Sequence, residues 1–255
     1  MGLLLMASFI ILPIHMTAKI RTTFLILLAA ISLTTNMLYN PLAPPDGWLA
    51  LNTAFQDFYD DPLEERNKRV GIIRDKITSE LLAGKKVIIT PETVLGINTP
   101  GLEPQLSLLN ARAKRNGATL LVGVVTKTKD GLENSLLILG ENEGNEVQYD
   151  ARQPVPLVMW NLWPTTGFKS HWFRKGIRQI QGKRTAILVC WEEWVPWPML
   201  VSSFSNPEVI LSASNHGWTR NGSVMWDRQT INADALARLY GLPMIRAVNL
   251  PSKKI

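Results

Sequence analysis

The chain reads as a layered α/β protein, and three observations carry that reading. Short apolar runs rich in β-branched residues alternate with longer stretches of helical period. Glycine or Asn-Gly closes several of those longer stretches. Chemically capable residues, Glu92 and Cys190, follow directly on two of the strand-like runs.

In chain order, Pro41, Pro44, Pro45, Asp46 and Gly47 punctuate the end of an apolar N-terminal region. Residues 62–83 predict an amphipathic helix, with Leu63, Val70, Ile73, Ile77 and Leu81 on one face and Gly84 as its stop. Val87–Thr90 predicts a buried strand and Pro104–Asn116 a second helix, ended by Asn116-Gly117. Thr119–Thr126 reads as a strand. Asn134–Leu139 and Val147–Tyr149 read as a hairpin around the turn Glu141–Asn145. Thr185–Cys190 and Val209–Ala213 are further strands, and Asp227–Tyr240 is a helix stopped by Gly241. No internal repeat or low-complexity segment interrupts the pattern.

The N-terminal region is of a different kind. Across residues 1–40 the charged or chargeable groups are His15, Lys19 and Arg21. Gly2–Met16 and Thr22–Tyr39 are apolar runs on either side of Lys19 and Arg21, and the second approaches the length of a bilayer span. The first lacks a basic leader, so a signal peptide fits poorly. The expectation is a transmembrane hairpin over residues 1–40, with its basic loop cytoplasmic and the chain from Pro41 onward in the bacterial periplasm. A buried soluble hairpin is the alternative.

A formal net charge of +6 is spread over Arg66, Lys68, Arg69, Lys85, Lys86, Arg112, Lys114, Arg115, Lys183 and Arg184. No zinc motif, basic heptad region or helix-turn-helix pattern goes with these residues, so nucleic acid is not an expected partner. Anionic lipid beside a membrane anchor is the simpler use of the charge. Three histidines are too few to build a metal cluster, and no glycine-rich loop cradles a phosphate, so neither metal nor cofactor is expected.

Cys190 is the sole cysteine and opens Cys190-Trp191-Glu192-Glu193 after the run Ala186-Ile187-Leu188-Val189. Glu92 follows Val87-Ile88-Ile89-Thr90-Pro91. Taken singly, a free cysteine after a strand is usually a small core residue, and a glutamate there a solvated loop charge. Together at two strand tips they suit nucleophilic catalysis: the thiol attacks, and the carboxylate takes its proton and returns it to the leaving group. Trp160, Trp163, Trp172, Trp191, Trp194, Trp197, Trp218 and Trp226 give the chain many indoles. Core packing accounts for most such residues. A rim that meets lipid headgroups or holds an acyl chain is the functional alternative.

Six segments in order resemble the carbon–nitrogen hydrolase (nitrilase) superfamily, and within it the apolipoprotein N-acyltransferase branch and the related TraB proteins of plasmid conjugal transfer. They are Thr90–Thr93, Gly117–Gly123, Tyr149–Pro156, Val189–Glu192, Ser214–Trp218 and Gly241–Asn249. The resemblance implies a four-layer αββα sandwich over residues 41–255, preceded by the membrane segments. It also implies further strands after Asn249, so that the chain reads as truncated at its C-terminus. It implies a Glu base at Glu92, a nucleophile at Cys190, an oxyanion donor in the Trp191 amide, and a further pocket or rim carboxylate at Glu192. The family's lysine position falls on Ala151, and Met159 stands where a second Glu is expected. Three alternatives follow: Arg152 serves as the cation, Lys169 reaches in from the next loop, or the ordinary chemistry is lost and the domain binds. His216 is expected at the site entrance. The implied function is thiol acyl-enzyme chemistry on an unidentified acyl or amide substrate, at the bacterial inner membrane. The alternative is a catalytically degenerate binding component of the conjugation apparatus or cell envelope.

Overall fold

The computed structural model describes residues 17–56, 63–141, 148–156, 158–159, 167–219 and 223–251. Within them lie nine strands and five α-helices. Helix α1 (Ala18–Leu38) carries the second apolar run and is almost wholly exposed along Ala18–Thr35. It is the one helix, among the described residues, long and apolar enough to cross a membrane. The first apolar run, the other half of the expected hairpin, lies outside the described residues.

Two sheets form the body. The first has the order β1 (Trp48–Ala50), β2 (Val87–Ile89), β3 (Thr119–Thr128), β4 (Gly131–Leu139), β5 (Gln148–Asp150). The second has the order β6 (Ile177–Ile180), β7 (Lys183–Val189), β8 (Val209–Asn215), β9 (Met244–Asn249). Strands β1, β2 and β3 are parallel, as are β7, β8 and β9. Parallel strands deliver their C-terminal tips to one edge, where loops after successive strands meet.

The buried residues sort into layers. Helices α2 (Leu63–Leu82) and α3 (Glu103–Arg115) place Val70, Ile73, Ile77, Leu106 and Leu109 against Ile88, Leu120 and Val122 of the first sheet. The opposite faces of both sheets meet through Val87, Ile89, Leu121, Leu136, Tyr149, Ile187, Val189, Leu211 and Ala247. Helices α4 (Pro196–Ser203) and α5 (Val224–Tyr240) cover the far side of the second sheet, with Met199 and Leu236 against Ala186, Leu188 and Ile210. The order is helix, sheet, sheet, helix. Adjacent positions on β2 and β7 supply both faces, which is why these strands read as continuous apolar runs. Ile73 and Ile77 are fully buried, and cutting either to alanine costs about 2–5 kcal/mol.

Most predicted elements stand close to their expected places. Helix α5 ends at Gly241, whose φ of +62° closes the last turn, with the Leu242 amide reaching the Ala237 carbonyl at 3.1 Å. The main difference is a hairpin: β3 and β4 pair over their whole length through Lys129-Asp130, further than the apolar run alone suggested. After β1 the chain crosses to the other sheet, where Thr53 brackets β9 by bonds to Val248 and Leu250.

Candidate active site

Glu92 and Cys190 come together at the tips of β2 and β7, one from each sheet, close enough for thiol and carboxylate to shift each other's titration. The backbone that brings them there is strained in matching places. Cys190 has φ +48° and Thr93 φ +50°, a left-handed region that side chains rarely occupy. Gly123 on β3 makes the Glu92 turn possible: a Cβ there would stand 2.0 Å from the Pro91 carbonyl and 2.7 Å from the Thr93 amide. Val189 ends β7 and a single 3-10 turn, Cys190–Glu193, begins at the thiol.

Glu92 is buried and accepts from the Asn134 side chain on one oxygen and the Asn215 amide, at 3.0 Å, on the other. Burial pushes its pKa up from 4.5 to about 7, although the bonds from Cys190, Asn134 and Asn215 oppose that rise. Burial and the adjacent Glu92 also raise the Cys190 thiol well above its ordinary value. The resting pair is therefore a neutral thiol held by a carboxyl that titrates near neutrality. Such a pair passes one proton between its members and suits a general base next to its nucleophile. Cys190 keeps partial exposure.

The turn bearing the thiol is fixed from three sides. Glu192, fully buried, accepts from the amides of Val189 at 3.0 Å, Arg152 and Gln153, and from the Tyr149 hydroxyl at 3.2 Å. Glu193 takes a two-pronged ion pair from Arg246, at 2.7 and 2.8 Å, and a bond from Ser212. Gln229 of α5 donates to the Cys190 carbonyl at 3.0 Å. The Trp191 amide lies in the first turn of the 3-10 segment, where a helix leaves its N–H groups without internal partners.

The remaining residues singled out from sequence take other places. Arg152 is fully buried, and its guanidinium bonds Pro198 O at 2.8 Å, Ser202 Oγ at 3.1 Å and Ile187 O at 3.1 Å, with Glu192 at 3.4 Å. None of these contacts is with Glu92 or Cys190. Gly176 makes room for it, since a Cβ there would lie 2.3 Å from the guanidinium carbon. Ala151 faces the inter-sheet core against which Cys190 packs, so the one-residue offset turns Arg152 away. Lys169 pairs with exposed Asp130 at 3.1 Å, and its amide bonds Leu132 O beside β4. His216 follows β8, buried, with its pKa lowered to about 4 by burial and then by Arg246, so its ring is neutral. Glu192 is fully buried and held by the Tyr149 hydroxyl and three backbone amides, so it is no rim charge. Glu133, Asp150 and His171 form the one group with ligand atoms close enough for a metal ion among the described residues. Asp150 there is already paired with Arg174 at 2.7 Å, and Glu133 with His171.

Sequence reasoning missed Asn134, Gln229 and the pairing of Glu193 with Arg246. Asn215 and Asn249 lay inside quoted motifs without a role. Asn249 Nδ2 bonds Asn215 Oδ1 at 2.8 Å, and its own Oδ1 accepts from Thr53 and the Phe55 amide. No local signal marks an asparagine that ties β8 and β9 to the segment after β1.

No family model matches the sequence. The chain is 27% identical over 212 residues to the conjugal transfer protein TraB of Agrobacterium fabrum, covering 80% of this chain and 48% of that protein. It is 24% identical over 198 residues to the apolipoprotein N-acyltransferase of Pasteurella multocida, covering 69% and 38%. The chain thus spans about half the length, or less, of these relatives. Among solved structures, a carbon–nitrogen hydrolase from Helicobacter pylori superposes with a TM-score of 0.58 at 15% identity, over 78% of this chain and 72% of that one. A Nesterenkonia amidase carrying acrylamide on its active-site cysteine gives 0.57 at 15% identity, over 79% and 77%. The two-sheet fold is that of these hydrolases, and the curated relatives together with it support a likeness to the carbon–nitrogen hydrolase (nitrilase) superfamily.

Proposed function

We propose that this protein is a membrane-anchored acyl-transfer enzyme of the TraB-like kind, working through a Cys190 thioester. The observation that carries the reading is the meeting of buried Glu92 and partly exposed Cys190 at the tips of strands from opposite sheets, with the carboxyl titrating near neutrality. Glu92 takes the thiol proton as sulfur attacks the substrate carbonyl carbon and the carbonyl electrons move to oxygen. The tetrahedral intermediate then expels its amine or alcohol, which leaves with the proton from Glu92. Water or an acceptor amine attacks the thioester, gives a proton to Glu92, and frees the thiol. The Trp191 amide stabilises the oxyanion in both halves.

Membrane anchoring is supported by α1 and by an aromatic surface. Phe173 is 80% exposed and packs edge-on against Trp197 at 5.8 Å, while the Trp197 indole N–H donates to the Trp172 carbonyl at 3.0 Å. Amphipathic rings next to Arg174 and Lys175 suit a lipid headgroup layer. The similarity to TraB supports a place in conjugal transfer at the bacterial inner membrane.

A second reading has one observation behind it. Ala151 stands at the family's lysine position, and Arg152 and Lys169 both have other partners. In that case the domain binds envelope partners without turnover. Mass spectrometry of the protein purified from its membrane decides between the two. The enzyme reading expects an acyl mass on Cys190 that hydroxylamine removes. A Cys190 free of adduct and inert to alkylation from pH 6 to 9 would support the binding reading.

A further inference from the structure

The geometry points to Gln153 as the side-chain donor that completes the oxyanion site where the family's cation is missing: we propose that its Nε2 hydrogen-bonds the substrate carbonyl oxygen opposite the Trp191 amide. The inference rests on the thioester reading above.

Gln153 is 4% exposed, and its Nε2 has no hydrogen-bond partner. A buried, unpaired amide N–H costs about 1–3 kcal/mol, a cost that a substrate oxygen would remove on binding. Its place is close to the nucleophile turn. The Gln153 amide donates to Glu192 Oε1 at 3.3 Å, and the other oxygen of that carboxylate accepts from Val189, the residue before Cys190, at 3.0 Å. One carboxylate thus fixes Gln153 and the thiol turn to each other. Gln153 also lies two residues beyond Ala151, which belongs to the same inter-sheet core against which Cys190 packs.

The cationic side chains nearby have other partners. Arg152 is tied to α4 and β7, Arg246 to Glu193, and Lys169 to Asp130. The His216 ring carries no charge at neutral pH. On the other side of the pair, Asn134 gives its N–H to Glu92 and leaves its buried Oδ1 unpaired. Flipping that amide would put oxygen against a carboxylate, so the acceptor stays where it is. Donor and acceptor together suit a carbonyl with an N–H beside it.

The test uses two reagents on the full-length protein. In acrylamide addition the S–C bond forms at the β-carbon, the C=C electrons move onto the amide oxygen, and the proton from the thiol ends on the α-carbon. A donor at that oxygen speeds the step. Methyl methanethiosulfonate reacts at sulfur and develops no carbonyl charge, so the ratio of the two rates reports the donor. The expected result is a ratio about tenfold or more lower in Gln153→Met, and lower again in Gln153→Glu, whose carboxylate faces the oxyanion. Circular dichroism identifies the variants that fold. A reactive Cys190 whose ratio is the same in the wild type and in either folded variant overturns this inference alone. A wild-type Cys190 inert to both reagents overturns the thioester reading and the inference with it.

Discussion

Glu92 shows at the scale of one residue how function is held against stability. Its folded pKa of about 7 lies above the unfolded value of 4.5, so the native state binds the proton more tightly. As pH rises from about 4.5 to about 7 the unfolded chain gives up this proton first, and the native state loses stability. The loss is on the order of 3 kcal/mol and is complete above the folded pKa. Cys190 stays neutral through this window and adds nothing to it. Glu92→Gln should therefore be inactive yet more stable than the wild type at pH 8, with little advantage at pH 4.5. Urea denaturation of both proteins at the two pH values measures this, and an equal stability gap at both would show that Glu92 is not the raised group. Arg152 makes the opposite case. Arg152→Ala leaves Glu192 buried without its cation, and the expected cost is about 3–5 kcal/mol. Thermal or urea unfolding of Arg152→Ala and Arg152→Lys checks it, and the lysine should recover only part of the loss, because the guanidinium serves several acceptors at once.

At the scale of elements, the 3-10 turn Cys190–Glu193 is a strained piece pinned by neighbours. Arg246 of β9 grips Glu193, and Gln229 of α5 grips the Cys190 carbonyl. The Arg246–Glu193 pair is nearly dry, with side-chain exposures of 13% and 0%. Arg246→Ala should destabilise the domain by about 3–5 kcal/mol and slow Cys190 alkylation. Arg246→Lys should keep charge but lose the second prong, and fall between them. Stopped-flow alkylation on variants whose folding is verified separates a misplaced turn from a merely weaker fold. An unchanged alkylation rate in Arg246→Ala would remove Arg246 from any positioning role. The same turn shows how far sequence reading reaches. Val87–Thr90 and Ala186–Val189 are legible because strands buried on both faces are continuous apolar runs, and the residue at each tip is then marked by position. Short elements escape. Strand β1 offers three residues, too few for a period, and α4 opens with Pro196-Trp197-Pro198, which reads as a loop until Met199 meets the core. Polar residues that act between strands far apart in sequence, such as Asn134 on Glu92 and Arg246 on Glu193, carry no local pattern at all. Their partners are 42 and 53 residues away.

At the scale of the whole molecule, the proposed membrane anchor turns on how α1 joins the two-sheet body. Helix α1 ends at Leu38, and Tyr39 follows it, stacked under the Arg238 guanidinium at 4.9 Å. Arg238 lies in the last turn of α5, so the exit of the apolar helix is tied to the layer that covers the second sheet. Phe204, just past α4, is 80% exposed. The helix exit, Phe204 and the aromatic group of Trp172, Phe173 and Trp197 are thus all joined to the α4–α5 layer. Lys19 and Arg21 stand at the opposite end of α1. Positive charge is retained on the cytoplasmic side, so the body beyond Tyr39 is expected in the periplasm. A reporter that works only in the periplasm, fused after Tyr39, should be active, and a cytoplasm-only reporter at the same junction should be silent. Replacing Lys19 and Arg21 with glutamine should erode that preference, because these are the charges flanking α1 that set it. Activity of the cytoplasmic reporter in the wild-type fusion would reverse the orientation. It would put Cys190 in a reducing compartment.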